Sequence, residues 1–221
     1  MDTVALTAQV EAIVQAKLTN APGCHDFDHT RRVVRNALEI QQLEQCGDRD
    51  IVRLAALLHD IARPEEMESD GKLCHAALGA EQADAILRQC GLTDDVMRHA
   101  IVEAVRRHRY RTAPHPETIE QMIVYDADKL DSIGAVGIGR AFHFAGRIGA
   151  RLHNMEAEAL RAPAYSKEDS AYREYLVKLR HVPERMLTAS GRRLAEERAR
   201  FMDDFFIRLN DEINGPLEEP R

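Results

Sequence analysis

Apolar residues recur every three to four positions through almost the whole of this 221-residue chain, and no stretch alternates as a strand would, so the chain has to fold as packed helices. The first stripe holds Leu6, Val10, Ile13, Val14 and Leu18 and is expected to end near Asn20-Ala21-Pro22-Gly23. A second helix is expected from about Asp28 to Glu44, with Val33, Ala37 and Ile40 facing inward. His29 lies one turn before Val33 and shares that side. A third, from about Asp50 to Ile61, is apolar on most of its circumference through Ile51, Leu54, Ala55, Leu57 and Leu58, which is the pattern of a central helix, and Pro64 limits its continuation. Helices at about 73–90 and 94–108 follow, with Gly91 read as a C-terminal cap and Thr93 as an N-cap. Beyond Pro114 and Pro116 another helix carries Ile119, Met122, Ile123 and Leu130. The small-residue segment from Gly134 to Phe142 fits either a closely packed helix or an irregular turn. Ala145 to Asp169 reads as a surface excursion, and Ser170–Arg180 and Glu184–Ile213 recover helical character.

With 44% hydrophobic residues the chain can bury a real core, and without repeats, low-complexity tracts or Ser/Gly linkers one domain is the economical reading. The formal charge of −7 argues against broad binding to nucleic acid or acidic membrane, which relies on a positive field, so an anionic ligand needs a local basic pocket. Cys24, Cys46, Cys74 and Cys90 are scattered with no CxxC pair, which suggests neither a zinc ribbon nor a disulfide framework and fits a reducing cytoplasm. The opening residues carry Asp2 and Glu11 in a helical pattern and are not read as a signal peptide. No apolar run reaches the ~18 residues that span a bilayer.

The chemistry concentrates at Leu57-Leu58-His59-Asp60-Ile61, where two ionisable residues interrupt the most apolar helix. Burying them costs free energy unless they are paired. One solution is a divalent cation, for which neutral imidazole and carboxylate are good donors; another is a histidine bonded to a backbone carbonyl with Asp60 capping a neighbour. Further candidate donors lie at the inner faces or ends of other helices: His29 before, His75 and His108 between, Asp128 after. Residues two apart on a helix point in nearly opposite directions, so Asp126 and Asp128 cannot both face one site.

The ordered set His25-Asp26-Phe27-Asp28-His29, Leu58-His59-Asp60-Ile61-Ala62-Arg63 and Tyr125-Asp126-Ala127-Asp128-Lys129-Leu130-Asp131 resembles the HD-domain superfamily, over most of the chain. The resemblance implies an all-α, single-domain helical bundle, with residues 1–221 as one HD domain, a core at about 22–135 and a C-terminal helical extension. It implies metal-dependent phosphohydrolysis, with His29, His59, Asp60 and Asp128 as ligands and His59 and Asp60 at the catalytic centre. The expected substrate is a small phosphate ester or anhydride, with nucleotides the leading class. Manganese is the metal expected from the resemblance, and magnesium, cobalt, nickel, iron and zinc are all acceptable to His/Asp donors. His75 and His108 match histidines by which some relatives bind a second metal, and they equally suit contacts to substrate phosphate.

Arg109 and Lys129 are candidate phosphate contacts, Arg32 and Asp131 candidate supports behind the ligands, and His25-Asp26 a decoy or a support. Some nucleotide-hydrolysing relatives carry Glu three residues after the motif aspartate; here that position is Arg63, which leaves the catalytic acid unassigned. Two other functions stay open: a di-iron oxygenase, which requires His75 and His108 as ligands, and a noncatalytic metal-bound interaction module. No Gly-Tyr-Pro segment of the cyclic-dinucleotide branch is present. The Gly134–Gly139 segment and the last helix are each compatible with a homodimer.

Overall fold

The computed structural model describes residues 3–19, 21, 24–69, 71–109 and 114–215. They form eleven α-helices: α1 Thr3–Leu18, α2 Phe27–Glu44, α3 Arg49–Leu58, α4 Arg63–Glu68, α5 His75–Gln89, α6 Asp95–Arg107, α7 Ile119–Leu130, α8 Gly134–Arg147, α9 Glu156–Arg161, α10 Ala171–Val177 and α11 Ala189–Asn214. Two 3-10 turns, Leu179–His181 and Pro183–Arg185, complete the set, and no strand occurs among the described residues. The chain forms two compact units, one reaching to Asp131 and including Leu187–Gly191, the other made of Ser132–Met186 and the residues from Arg192.

In the first unit α3 is the central element, packed against α1, α2, α6 and α7. Val52, Leu54, Ala55, Ala56, Leu57 and Leu58 are all buried on it. Leu6, Val10, Val14 and Leu18 of α1, Leu87 of α5, Ile101 and Val105 of α6 and Val124 of α7 close the core around it. Removing one such leucine side chain costs about 2–5 kcal/mol.

Several local boundaries differ from the sequence reading. The expected end of α1 at Asn20, Pro22 and Gly23 lies outside the described residues. Helix α3 stops at Leu58, so the His59-Asp60 pair lies in the turn that follows rather than inside a helix, and Pro64 opens α4 instead of ending α3. Proline fits there because the first-turn amides have no intrahelical partner. Asp94, not Thr93, caps α6, its carboxylate accepting from the amides of Val96 and Met97. A carboxylate reaches both amides and suits the positive end of the helix better than a hydroxyl one residue earlier. Gly91, at φ +83°, takes the left-handed position after α5, and the Leu92 amide closes back on the Leu87 carbonyl at 3.0 Å.

One long-range tie completes the first unit. The buried Asp126 carboxylate accepts from the amides of Leu187 and Thr188 and from the Thr188 hydroxyl, at 2.7–2.9 Å for the shortest contact of each. A Cβ on Gly191 would lie 2.4 Å from Asp126 Oδ2, so only glycine lets this segment approach α7.

In the second unit the small-residue segment is helical and packs closely: a Cβ on Gly137 would meet the Ser132 carbonyl oxygen at 2.2 Å. The span read as an excursion contains α9 and is tied inward. Buried Asn154 donates to the Glu168 carbonyl at 2.8 Å and accepts from the Ser170 hydroxyl at 2.6 Å, and Arg173 donates to Asp169 at 2.8 Å. Tyr175 stacks on fully buried Phe206 at 4.4 Å between centroids, with Tyr172 and Phe142 beside it.

Candidate metal centre

Helix ends in the first unit deliver the ionisable side chains to one place. Asp26 caps α2 by accepting from the His29 amide at 2.9 Å, which fixes the backbone that presents His29. His59 and Asp60 follow the last turn of α3, His75 opens α5, His108 caps the end of α6, and Asp128 lies in the last turn of α7. His29, His59, Asp60, His75 and His108 are all buried, while the Asp128 side chain keeps 20% exposure.

These groups gather into two clusters that share Asp60. In the first, His29 Nε2 lies 3.3 Å from His59 Nε2 and 3.5 Å from both Asp60 Oδ2 and Asp128 Oδ1. In the second, His75 Nε2 lies 3.2 Å from His108 Nε2 and 3.4 Å from Asp60 Oδ1, and His108 Nε2 is 3.6 Å from that same oxygen.

The opposite nitrogen of each ring decides what those distances mean. His59 Nδ1 faces the Ala56 carbonyl at 2.8 Å, His108 Nδ1 the Val105 carbonyl at 2.6 Å, His29 Nδ1 Asp131 Oδ2 at 2.7 Å and His75 Nδ1 Glu66 Oε2 at 2.9 Å. Carbonyl and carboxylate oxygens only accept, so in its neutral form each ring carries its proton on Nδ1 and turns the Nε2 lone pair toward its neighbours. Two lone pairs facing each other at 3.2–3.3 Å repel. Two donors each about 2.1 Å from a shared cation stand roughly 3 Å apart, so the arrangement fits a metal ion. A carbonyl or carboxylate behind each histidine is also the usual way a ligand ring is oriented.

Protonation matches. Burial pushes His59 and His75 down to about 4, so both are neutral near pH 7. Burial works against the ionised form of Asp60, but His59, Arg63 and His25 outweigh it and hold the carboxyl well below the usual range. At Asp128 the same contest against burial is won by Lys129, His59 and His29. Neutral imidazoles beside ionised carboxylates are the state a divalent ion requires of its ligands.

The remaining predicted residues are placed as follows. Arg32 grips Asp131 through Nε at 2.7 Å and Nη2 at 3.0 Å, so Asp131 is braced behind His29. Lys129 is buried, donates to Asp128 Oδ2 at 2.9 Å and the His108 carbonyl at 3.0 Å, and lies 4.5 Å over the Tyr125 ring. Arg109 reaches Glu66 Oε1 at 3.2 Å and Cys74 Sγ at 3.1 Å. Arg106 and Arg107 pair with Glu103, while Tyr110 and Arg111 lie outside the described residues. Asp126 is turned away to its tie with Thr188.

Two groups at the site were under-read from sequence. His25 Nδ1 approaches Asp60 Oδ2 at 2.8 Å, and Glu66 stands behind His75. The signal for Glu66 was Pro64, which starts the short helix that aims it; for His25 it was only proximity to His29.

The HD domain family model matches residues 26–133. YpgQ of Bacillus subtilis (strain 168), an uncharacterised protein, is 36% identical over 94% of this chain and 93% of its own length. The crystal structure of YpgQ in complex with ADP is similar at a TM-score of 0.74, with 32% identity and coverage of 97% of this chain and 98% of that one. A predicted HD superfamily hydrolase from an uncultured Thermotogales bacterium is similar at a TM-score of 0.67, with 30% identity over 93% of this chain and 91% of its own. Among the described residues no helix is long and apolar enough to cross a membrane.

Proposed function

Because the chain belongs to the HD-domain superfamily, we propose that its clustered histidines and aspartates form the active site of a metal-dependent phosphohydrolase acting on a small phosphate ester or anhydride, most directly a nucleotide. The observation that carries this reading is the convergence of imidazole Nε2 atoms on the two oxygens of one carboxylate, Asp60. His29, His59, Asp60 and Asp128 are the proposed ligands of one divalent ion, manganese being the first candidate, and Asp60, His75 and His108 the ligands available for a second. A divalent ion held there supplies a lowered pKa for water and offsets charge building on phosphoryl oxygens.

The protein's own contribution is placement. Asp131 and the Ala56 carbonyl keep the His29 and His59 rings in one tautomer, and Arg32 keeps Asp131 from turning. Arg109 and Lys129 are proposed to meet substrate phosphate, each exchanging a carboxylate partner, Glu66 or Asp128, for a phosphate oxygen. The nucleotide class is supported by the ADP bound to the similar YpgQ. The reaction is proposed to take place in the cytoplasm.

The test is release of phosphate or pyrophosphate from a panel of nucleotides and phosphomonoesters by metal-stripped protein, alone and with added manganese, repeated for Asp60→Ala. Metal-dependent release that the substitution abolishes is expected; no release from folded, metal-loaded protein overturns the assignment. A second reading, oxygen activation by a pair of irons, is favoured by one observation, the second cluster at Asp60, His75 and His108. Iron content with oxygen uptake in place of phosphate release distinguishes it.

A further inference from the structure

Arg63 is neither a proposed ligand nor a proposed substrate contact, yet its guanidinium touches both halves of the site. One branch, Nη2, donates to His25 Nε2 at 3.2 Å, and His25 Nδ1 in turn meets Asp60 Oδ2 at 2.8 Å. The other branch, Nη1, donates to Glu66 Oε2, the same oxygen that accepts from His75 Nδ1 at 2.9 Å. A guanidinium only donates, so its contact makes His25 Nε2 an acceptor and sends the single proton of that neutral ring to Nδ1, where it is donated to Asp60. By the same logic the 3.1 Å approach of Arg63 Nη1 to His75 Nδ1 is two donors converging on Glu66 rather than a bond between them.

The two branches end on opposite halves of the ligand set. The His25 branch ends at Asp60 Oδ2, the oxygen 3.5 Å from His29 Nε2. The Glu66 branch ends at His75, whose Nε2 faces Asp60 Oδ1 at 3.4 Å. Arg109 holds Glu66 from its other oxygen, which leaves Oε2 to His75 and Arg63. The fork matters because lysine presents one compact charge and cannot span both acceptors in fixed directions.

We propose that Arg63 is a positioning residue that holds the two ligand clusters in register, one arm through His25 to Asp60 and the other through Glu66 to His75. The proposal rests on the reading that both clusters take metal ions. Groups standing one step behind a ligand typically change metal affinity by about 10–100-fold, which sets the size of the expected effect.

The experiment is titration of metal-stripped protein with cobalt(II) in competition with a chromophoric chelator, giving stoichiometry and two dissociation constants, with the visible cobalt spectrum recorded and circular dichroism checking the fold. Wild type is expected to take two equivalents. Arg63→Lys is expected to weaken both and alter the spectrum, Glu66→Gln to weaken one, and His25→Gln to weaken the other. Combining Arg63→Lys with Glu66→Gln should weaken the second cluster no further than the arginine change alone, because both cut the same arm. Two equivalents in wild type that Arg63→Lys binds unchanged, or fully additive losses in the double variant, overturn the proposal alone. Fewer than two equivalents in wild type overturn the two-cluster reading and the proposal with it. If the arginine variant does not fold, the two arm variants decide: each must weaken one equivalent and spare the other, and any other pattern overturns the proposal.

Discussion

The two compact units solve the problem of buried polar groups in opposite ways. In the second unit donors meet acceptors: Asn154 lies between Ser170 and the Glu168 carbonyl, Arg173 donates to Asp169, and aromatic rings around Phe206 fill the space. In the first unit imidazole nitrogen faces imidazole nitrogen across 3.2–3.3 Å at two histidine pairs, under complete or nearly complete burial. Crowding buried imidazole nitrogens against one another costs free energy unless something binds between them, so a chain that builds such contacts in one unit has a use for them there. On the proposed reading the chemistry belongs to the first unit and the second is built for packing.

The sharpest way to break that contrast is Phe206→Ala. Its loss should destabilise the protein by about 3–5 kcal/mol in urea unfolding, yet leave metal content per folded molecule unchanged, since the proposed ligands all belong to the first unit. Reduced metal content in the folded fraction would show that the units do not divide the labour this way.

Next in size is a pH effect on metal-stripped protein. Burial lowers His59 and His75 from 6.5 to about 4, so the unfolded chain binds more protons than the folded one between those values. Stability from these groups is therefore present above pH 6.5 and is lost as pH falls toward 4, by no more than about 3 kcal/mol for each. Thermal melting from pH 7 to pH 4 measures it, and saturating manganese should flatten the upper part of the slope because the bound ion competes with protons. A melting temperature that rises on acidification would be the wrong sign.

The smallest effect belongs to Tyr175→Phe. The Tyr175 hydroxyl donates to Asp203 at 2.7 Å, and burial, reinforced by that carboxylate, pushes its pKa well above the usual phenol range, so it stays a donor at all ordinary pH. Losing that bond should cost about 0.5–1.5 kcal/mol in urea unfolding and show no pH dependence between 5 and 9. A larger loss would mean that the ring stack also moved.

Periodicity made the helices legible, and apolar neighbours made His59 and Asp60 stand out, because both signals are local. The six side chains read as candidate donors do come together at helix ends. What was not legible depended on contacts far along the chain. His25 faces a carboxylate 35 residues away, and nothing beside it in sequence distinguishes that role from a loop histidine. The end of α3 was missed because no glycine or proline separates Leu58 from His59, and the turn is set by what His59 and Asp60 must reach. Gly134 to Phe142 could not be assigned because small residues suit a helix and a turn alike; the Ser132 carbonyl, which leaves no room for a Cβ at Gly137, accounts for the requirement there.

The tie between Asp126 and the Leu187-Thr188 amides bears on the order in which the molecule is made. The ligand-bearing unit is translated first, but the segment that satisfies Asp126 leaves the ribosome only after residues 132–186 have emerged. During that interval the nascent first unit holds a carboxylate on α7 without its final partners. Closing the intervening loop then costs entropy that grows only slowly with its length. Assembly of the site's own scaffold is thus a late event of biosynthesis, although every proposed metal ligand has been in place along the chain since residue 128.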